Sequence, residues 1–377
     1  MSNNIIYEYS EVEDKELKQY IIKTPSLHKY FKLSWSVLKT KHYCGILNFN
    51  GKDIYLLPKI ADTQEKNLDI FIYMLMYAYD IKLENEDIAS CKNETHNILE
   101  VFIQLFAQRL FKEFKSGIYK EYITEQDNLP ILRGKYLINE NLKYNHVKSK
   151  IYCEYDEFSQ NNILNQFFLY AIHTLLRYTK NKKLLKQCEL ALDGVEYREF
   201  DINNLHIHFN RLNKRYRDSF EFALLLLRKA TPLFFEGKKS FAFLFNINDL
   251  FENFIGKVYK NIDASSQTQL QRNFGSLQLK PDIMTSKIII DTKYKKVKNK
   301  KDLSVTDKYQ MFVYGTNFQK NETMLLYPKH IEDVYENLQL GKDDKMVRLK
   351  MRSIDLNFDG GYSEFLKVIS NRLEEIA

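Results

Sequence analysis

The thirteen residues from Pro281 to Lys293, PDIMTSKIIIDTK, constrain the fold of this chain more than any other stretch. An acid follows a proline, a short polar turn comes next, and three isoleucines run into Asp-Thr-Lys. Met284-Thr285-Ser286-Lys287 reads as a hairpin turn, and Ile288 to Ile290 as a buried strand. A two-residue loop at Thr285-Ser286 sets Asp282 opposite Ile289. Side chains alternate faces along a strand, so residues 289, 291 and 293 share one face, and Asp282, Asp291 and Lys293 project the same way. Diagonal cross-strand neighbours lie roughly 7–8 Å apart, which lets two carboxylates reach one cation. Two hard oxygen ligands beside an ammonium suit Mg²⁺ and a phosphate. A one-residue slip in register would dismantle the set.

The rest of the chain is long enough to surround such a hairpin with more than one core. Its 377 residues are 44% hydrophobic and 28% charged, as in an ordinary soluble globular protein, and 12 Gly with 6 Pro argue against long flexible linkers. The 26 Tyr and 26 Phe are read as core rather than as base-stacking platforms. A net charge of +7 favours polyanions weakly. The densest basic run, Lys293 to Lys301, directly follows the proposed site, which gives Lys295, Lys296 and Lys298 a place to track a DNA backbone. Lys180 to Lys186 reads as a solvated link between helices.

Cys44, Cys91, Cys153 and Cys188 are scattered, with no CxxC and no His at zinc spacing, so free thiols in a reducing compartment are expected. The N-terminus has no signal-peptide core, and the longest apolar run, Ile70 to Tyr79, falls far short of the roughly 20 residues that span a bilayer. These readings place the protein in the cytoplasm. His206 and His208 alternate in LHIHF and read as part of a half-buried structural strand. Gly134 is isolated and is no phosphate-binding loop, so no nucleotide is expected on this chain.

Along the chain, Tyr43 to Leu47 and Ile54 to Leu57 bracket a hairpin turn at Asn48-Phe49-Asn50-Gly51. Ile70 to Tyr79 and Ile98 to Phe114 read as helices, and Arg133-Gly134-Lys135 as a turn between strands. Asn162 to Tyr178 and Arg211 to Lys229 read as helices that bundle around the later sheet. From Ser240 the order becomes strand, helix, strand, strand, helix, strand. The expected class is α/β (α+β): an N-terminal mixed domain over 1–150, then a helical region and an α/β core near 240–335 within 151–377.

The order of these pieces resembles a known family. A helix carries Glu252, the PD and DTK strands follow, Gln310 and Tyr314 stand four apart on the next helix, and Met324-Leu325-Leu326-Tyr327-Pro328 closes the series. Tyr43-Cys44-Gly45-Ile46 with Ile54 to Ile60, Ile131-Leu132-Arg133-Gly134-Lys135, Tyr155 to Ser159 with Asn162-Ile163-Leu164, and Arg211 to Tyr216 extend the likeness over most of the chain. It is similar to McrC, the nuclease subunit of the McrBC modification-dependent restriction systems, within the PD-(D/E)xK nucleases.

That resemblance implies a Mg²⁺-dependent DNA endonuclease, with Mn²⁺ able to substitute. Asp282 and Asp291 would hold the metal and Lys293 would serve the attacking water. Glu252 would be a third acid and metal ligand, and Gln310 and Tyr314 would support the site. It also implies docking through the N-terminal portion on an McrB-like AAA+ GTPase ring that recognises modified DNA, with Arg133 as a candidate for stimulating the partner. Three other readings share these residues: a related motor-dependent system specific for an unmethylated sequence, a stand-alone repair exonuclease, and a non-catalytic activator of the motor.

Overall fold

The PD…DTK stretch folds as a hairpin within a six-stranded sheet. Its strands run in the order Gln267–Thr268, Ile283–Met284, Ile288–Thr292, Glu322–Pro328, Val347–Ile354, Tyr335–Leu340. The computed structural model describes residues 5–34, 37–81, 98–146, 149–235, 238–330 and 333–376. Ile288–Thr292 is buried at every residue, as suits a strand paired on both sides. It runs antiparallel to Ile283–Met284 and parallel to Glu322–Pro328. The helix Val305–Asn317 makes the crossover between those two parallel strands, opened by the Ser304 side chain accepting from the Asp307 N–H. Its Met311 and Tyr314 pack on Ile289, Leu325, Leu349 and Met351, which share one face of the sheet.

The turn differs from the expected one. Met284 stands opposite Ile289 and Ile283 opposite Ile290, and the Thr285 N–H donates to the Ile288 carbonyl at 3.0 Å. The two-residue loop is therefore Ser286-Lys287, not Thr285-Ser286. The Thr285 hydroxyl explains the shift. It accepts from the Lys287 and Ile288 N–H groups at 3.2 and 3.0 Å and donates to the Ile288 carbonyl at 3.1 Å.

A second sheet has the order Ile5–Tyr7, Lys52–Leu57, Tyr43–Phe49, Lys238–Asn246, Ala230–Phe235. Asn50 and Gly51 turn its hairpin with φ of 50° and 76°, the double positive φ of a type I′ turn, so the strands extend further into the expected loop. Ile46 lies opposite Phe243, so the N-terminal hairpin is completed by a strand almost 200 residues later. The helix Ile247–Ile262 follows that strand directly and packs on Gln64–Ala78 and Tyr362–Ile376, with Phe254 stacked on Phe365.

This pairing moves the division of the chain. The compact units are 1–97 with 232–377, and 98–231, rather than two segments meeting at 150. The helices Ile98–Lys115, Ile163–Leu175, Lys183–Ala191 and Arg217–Lys229 pack on one another in the second unit. The six-stranded sheet takes its packed helices, Ile247–Ile262, Val305–Asn317 and Tyr362–Ile376, from the first unit. The second unit also holds a three-stranded antiparallel sheet of Glu121–Leu129, Ile151–Ser159 and Lys135–Tyr136. Leu205 to Phe209 alternate in exposure as expected, but among the described residues they pair with no strand, and both His206 and His208 are exposed. Cys44, Cys153 and Cys188 are free and buried, and Cys91 lies outside the described residues.

Candidate active site

Asp291 is the fourth residue of the fully buried strand Ile288–Thr292, near its end away from the hairpin turn, and is 1% exposed. Its Oδ1 accepts from Gln310 Nε2 at 3.1 Å. The same amide nitrogen lies 3.0 Å from the Tyr314 hydroxyl, which donates to the Lys280 carbonyl at 3.1 Å. The i,i+4 spacing of Gln310 and Tyr314 on the crossover helix thus fixes one carboxylate oxygen from above the sheet. The other oxygen, Oδ2, lies 2.6 Å from Lys293 Nζ as an ion pair, and no donor is aligned on it as a hydrogen bond.

Asp282 is pinned differently. Its Oδ2 accepts from both the Thr292 N–H at 2.7 Å and the Thr292 hydroxyl at 2.8 Å. Thr292 was not among the side chains expected to matter; its position between the acid and the lysine of DTK is the only signal the sequence carried. Glu252, in the second turn of the helix Ile247–Ile262, stands beside Asp282. The sheet and two helices therefore bring Glu252, Asp282, Asp291, Lys293, Gln310 and Tyr314 into one constellation, although they span more than sixty positions of sequence.

The electrostatics follow from that crowding. Burial pushes the Asp291 carboxyl up, and the neighbouring Asp282 pushes it further against the pull of Lys293. Burial also raises Glu252, with Asp282 and then Asp291 adding to it. Burial opposes the charge on Lys293, but Asp291 and Asp282 outweigh it and hold its pKa above the ordinary value. The acids are short of positive charge, and the one ammonium among them stays protonated.

Among the described residues, no three His, Cys, Asp or Glu side chains form a ready metal cluster. The donor chemistry nevertheless fits a hard divalent cation. Asp291 keeps a buried oxygen without a directed donor, and a second carboxylate stands beside it. Mg²⁺ commonly takes only one or two carboxylates and completes its shell with water and phosphate oxygens.

The neighbouring lysines divide into two kinds. Lys295 is committed to an ion pair with Asp307, whereas Lys296 and Lys298 are exposed. Arg133 belongs to the other unit. There its guanidinium lies 4.1 Å above the Tyr155 ring and 3.2 Å from Glu157, beside Gly134 at φ 70°. A Cβ at Gly134 would meet the Glu154 carbonyl at 2.3 Å, so the turn that presents Arg133 requires glycine.

A mixed sheet with a helical crossover, bearing acids and a lysine at the end of its central strand, defines a class of α/β proteins with a carboxylate–lysine hairpin. Within that class, residues 38–328 match the family described as the McrBC 5-methylcytosine restriction system component, and the chain belongs to that family. A search of curated proteins gave no match. Among solved structures, the chain is similar to one in the refined half-complex from the tetradecameric assembly of Thermococcus gammatolerans McrB AAA+ hexamers with bound McrC. The TM-score is 0.68 at 23% identity, over 99% of both chains. It is also similar to a chain of the cryo-EM structure of the Thermococcus gammatolerans McrBC complex, with TM-score 0.51 and 26% identity over 68% of this chain and 86% of that one. No helix among the described residues is long and apolar enough to cross a membrane.

Proposed function

We propose that this restriction-system component is its DNA-cleaving subunit, a Mg²⁺-dependent endonuclease that works with an McrB-like AAA+ GTPase ring. The observation that carries the reading is the buried Asp291 paired with Lys293, with Asp282 beside both and Glu252 beside Asp282. Asp282 and Asp291, with Glu252, would hold the metal. Bound there, Mg²⁺ would polarise a scissile phosphate and lower the pKa of water.

The chain's own groups would do the rest. Thr292 fixes the direction of Asp282 through two donors, and Gln310 fixes Asp291 through one. Lys293 remains an ammonium and presents its protons to the water or to charge developing on the phosphate oxygens. Lys296 and Lys298 would track the DNA backbone, and Lys295 would instead hold the start of the crossover helix through Asp307.

Partner docking rests on the family and on a surface. In the three-stranded sheet and its turns, Tyr122 and Ile131 are 74% and 75% exposed, with Leu132, Phe158 and Leu142 also open to solvent. We assign docking to these open apolar side chains, with Arg133 in a turn of the same sheet. The protein, as wild type and as Asp291→Ala, is to be incubated with methylated or unmethylated plasmid and Mg²⁺, with or without the partner ring and GTP. Cutting that needs partner, GTP and Asp291 is expected, and dependence on methylation identifies the modification-directed version. Cutting by the lone chain, indifferent to GTP, would make it a stand-alone nuclease.

A further inference from the structure

The edge of the six-stranded sheet carries a second polar construction, turned away from the acids. Asp291 registers with Leu325, Met351 and Glu336 across the sheet. The residues that alternate with these point to the opposite face. There Tyr335 pairs with Arg352, Asn337 with Lys350, and Gln339 with Arg348. These six residues line a cavity of about 630 Å³, with Glu375 at its rim. The central strand of the pair thus bears three cations at every second position, about 6.6 Å apart at roughly 3.3 Å per residue. The edge strand bears two amides and an aromatic ring that is 68% exposed.

The ladder is held in place from beneath. Arg352 is 3% exposed. Its Nη1 donates to the Glu336 and Met351 carbonyls at 2.8 and 2.9 Å, and its Nη2 to Asn337 Oδ1 at 2.9 Å. Its plane lies 3.7 Å from the Tyr335 ring centre, and its buried Nε has no acceptor. Glu322 receives Arg348 at 2.9 Å and Lys350 at 3.2 Å, which spreads those side chains along the sheet. Three cations face two carboxylates, Glu322 and Glu375, so the cavity keeps an excess of positive charge.

We infer that this edge groove binds an extended single strand of nucleic acid, with phosphates on Arg348 and Lys350 and a base stacked on Tyr335. Cations at regular intervals follow a phosphate backbone, and an exposed ring beside amides accepts unpaired bases without regard to sequence. The choice of nucleic acid rests on the nuclease reading; the groove itself rests on the ladder.

The test is fluorescence anisotropy of the full chain carrying Asp291→Ala, in EDTA, with labelled oligothymidylate and a duplex of equal length. Arg348→Gln with Lys350→Gln should weaken single-strand binding at least about tenfold. It should also flatten the log–log salt slope by about 1.4, or roughly 0.7 for each lost phosphate contact. Tyr335→Ala should weaken the single strand about fivefold or more, and the duplex far less. Photocross-linking of the protein with native Arg348 and Lys350 should label peptides within 335–340 or 347–354, which covers a double variant that fails to fold. Unchanged affinity and slope in a folded double variant would overturn the inference, as would cross-links elsewhere or equal displacement by polyglutamate. Wild-type-like cutting by Asp291→Ala would instead sink the nuclease reading and leave this binding result standing.

Discussion

Two carboxylates, one in each compact unit, are buried to nearly the same depth and treated in opposite ways. Glu100 in the helical unit is 3% exposed, and Asp291 in the sheet unit is 1% exposed. Glu100 Oε1 accepts from Gln104 Nε2 at 3.2 Å, the Thr179 hydroxyl at 2.5 Å and the Asn181 N–H at 3.1 Å; its Oε2 accepts from the Lys180 N–H at 2.9 Å. Asp291 has one directed donor, an off-axis lysine and a second acid beside it. A buried carboxylate held by four directed donors ties a chain together. A buried charge left short of donors and set among like charges costs stability, which makes it a place where a cation would be welcome.

The contrast predicts opposite consequences of removing each charge. Asp291→Asn should lower plasmid cleavage by roughly 10³-fold, with a melting temperature equal to or above wild type. Glu100→Ala should do the reverse. Its stranded donors should cost about 3 kcal/mol in denaturant melts, while cleavage per folded molecule holds. A destabilised but active Asp291→Asn would break the distinction.

Two neighbouring lysines sharpen it. Lys293→Ala should cut the rate about 10²-fold, while Lys295→Ala, which removes the ion pair with Asp307, should change it little. Comparable losses in single-turnover cleavage would show that net charge, not placement, is what counts. Gln310→Ala frees the oxygen that the crossover helix fixes, and should raise the Mg²⁺ needed for half-maximal cutting by about 10–100-fold, as losses of supporting groups commonly do. An unchanged Mg²⁺ titration would remove Gln310 from the site.

The smallest effect concerns Glu113, a largely buried acid of the helical unit. Burial raises its pKa to about 7, against the pull of Ser219 and of Arg109, which lies 3.6 Å away. The folded state therefore holds its proton after the unfolded state has released it, and stability falls as pH rises from about 4.5 through 7. The full shift is an upper bound near 3 kcal/mol, and partial solvent screening reduces it to about 1–2 kcal/mol. Glu113→Gln should flatten urea midpoints across that window and leave cleavage untouched. A buried acid with a raised pKa does not by itself make the site: Glu113 lacks a lysine set two residues along a strand and a hairpin carrying another acid.

The constellation was legible because its chemistry is local. Asp282, Asp291 and Lys293 lie on one hairpin, and the turn expected from the sequence differs from the observed one by two residues in register. A strand repeats every two residues, so that difference leaves each side chain on its expected face. Gln310 and Tyr314 were legible from their place after the DTK strand in the ordered series, since an i,i+4 pair alone carries little. The pairings that escaped are long-range. Nothing near Tyr43 indicates that its strand pairs with Lys238–Asn246, and nothing near Glu8 indicates its 2.7 Å bond from the buried Tyr294 hydroxyl. The exposure pattern at His206 and His208 mimics a strand, but alternation supplies no partner for the backbone. The helices between 98 and 231 were apolar enough to suit a sheet, yet their apolar faces are satisfied by one another.

The split first unit also sets an order in time. Between Phe49 and Lys238 lie roughly 190 residues, which a ribosome adds in about 10–40 s. Throughout that interval the strand Tyr43–Phe49 has emerged with one edge unpaired, and its Ile46, Leu47 and Phe49 must wait for Phe241 to Phe245. The helical unit meanwhile has all of its own contacts and can fold first, since they are closer in sequence. A nascent chain arrested before Asn246 would carry a finished insert between two halves of an unfinished host, with an apolar strand edge open to pairing with its neighbours.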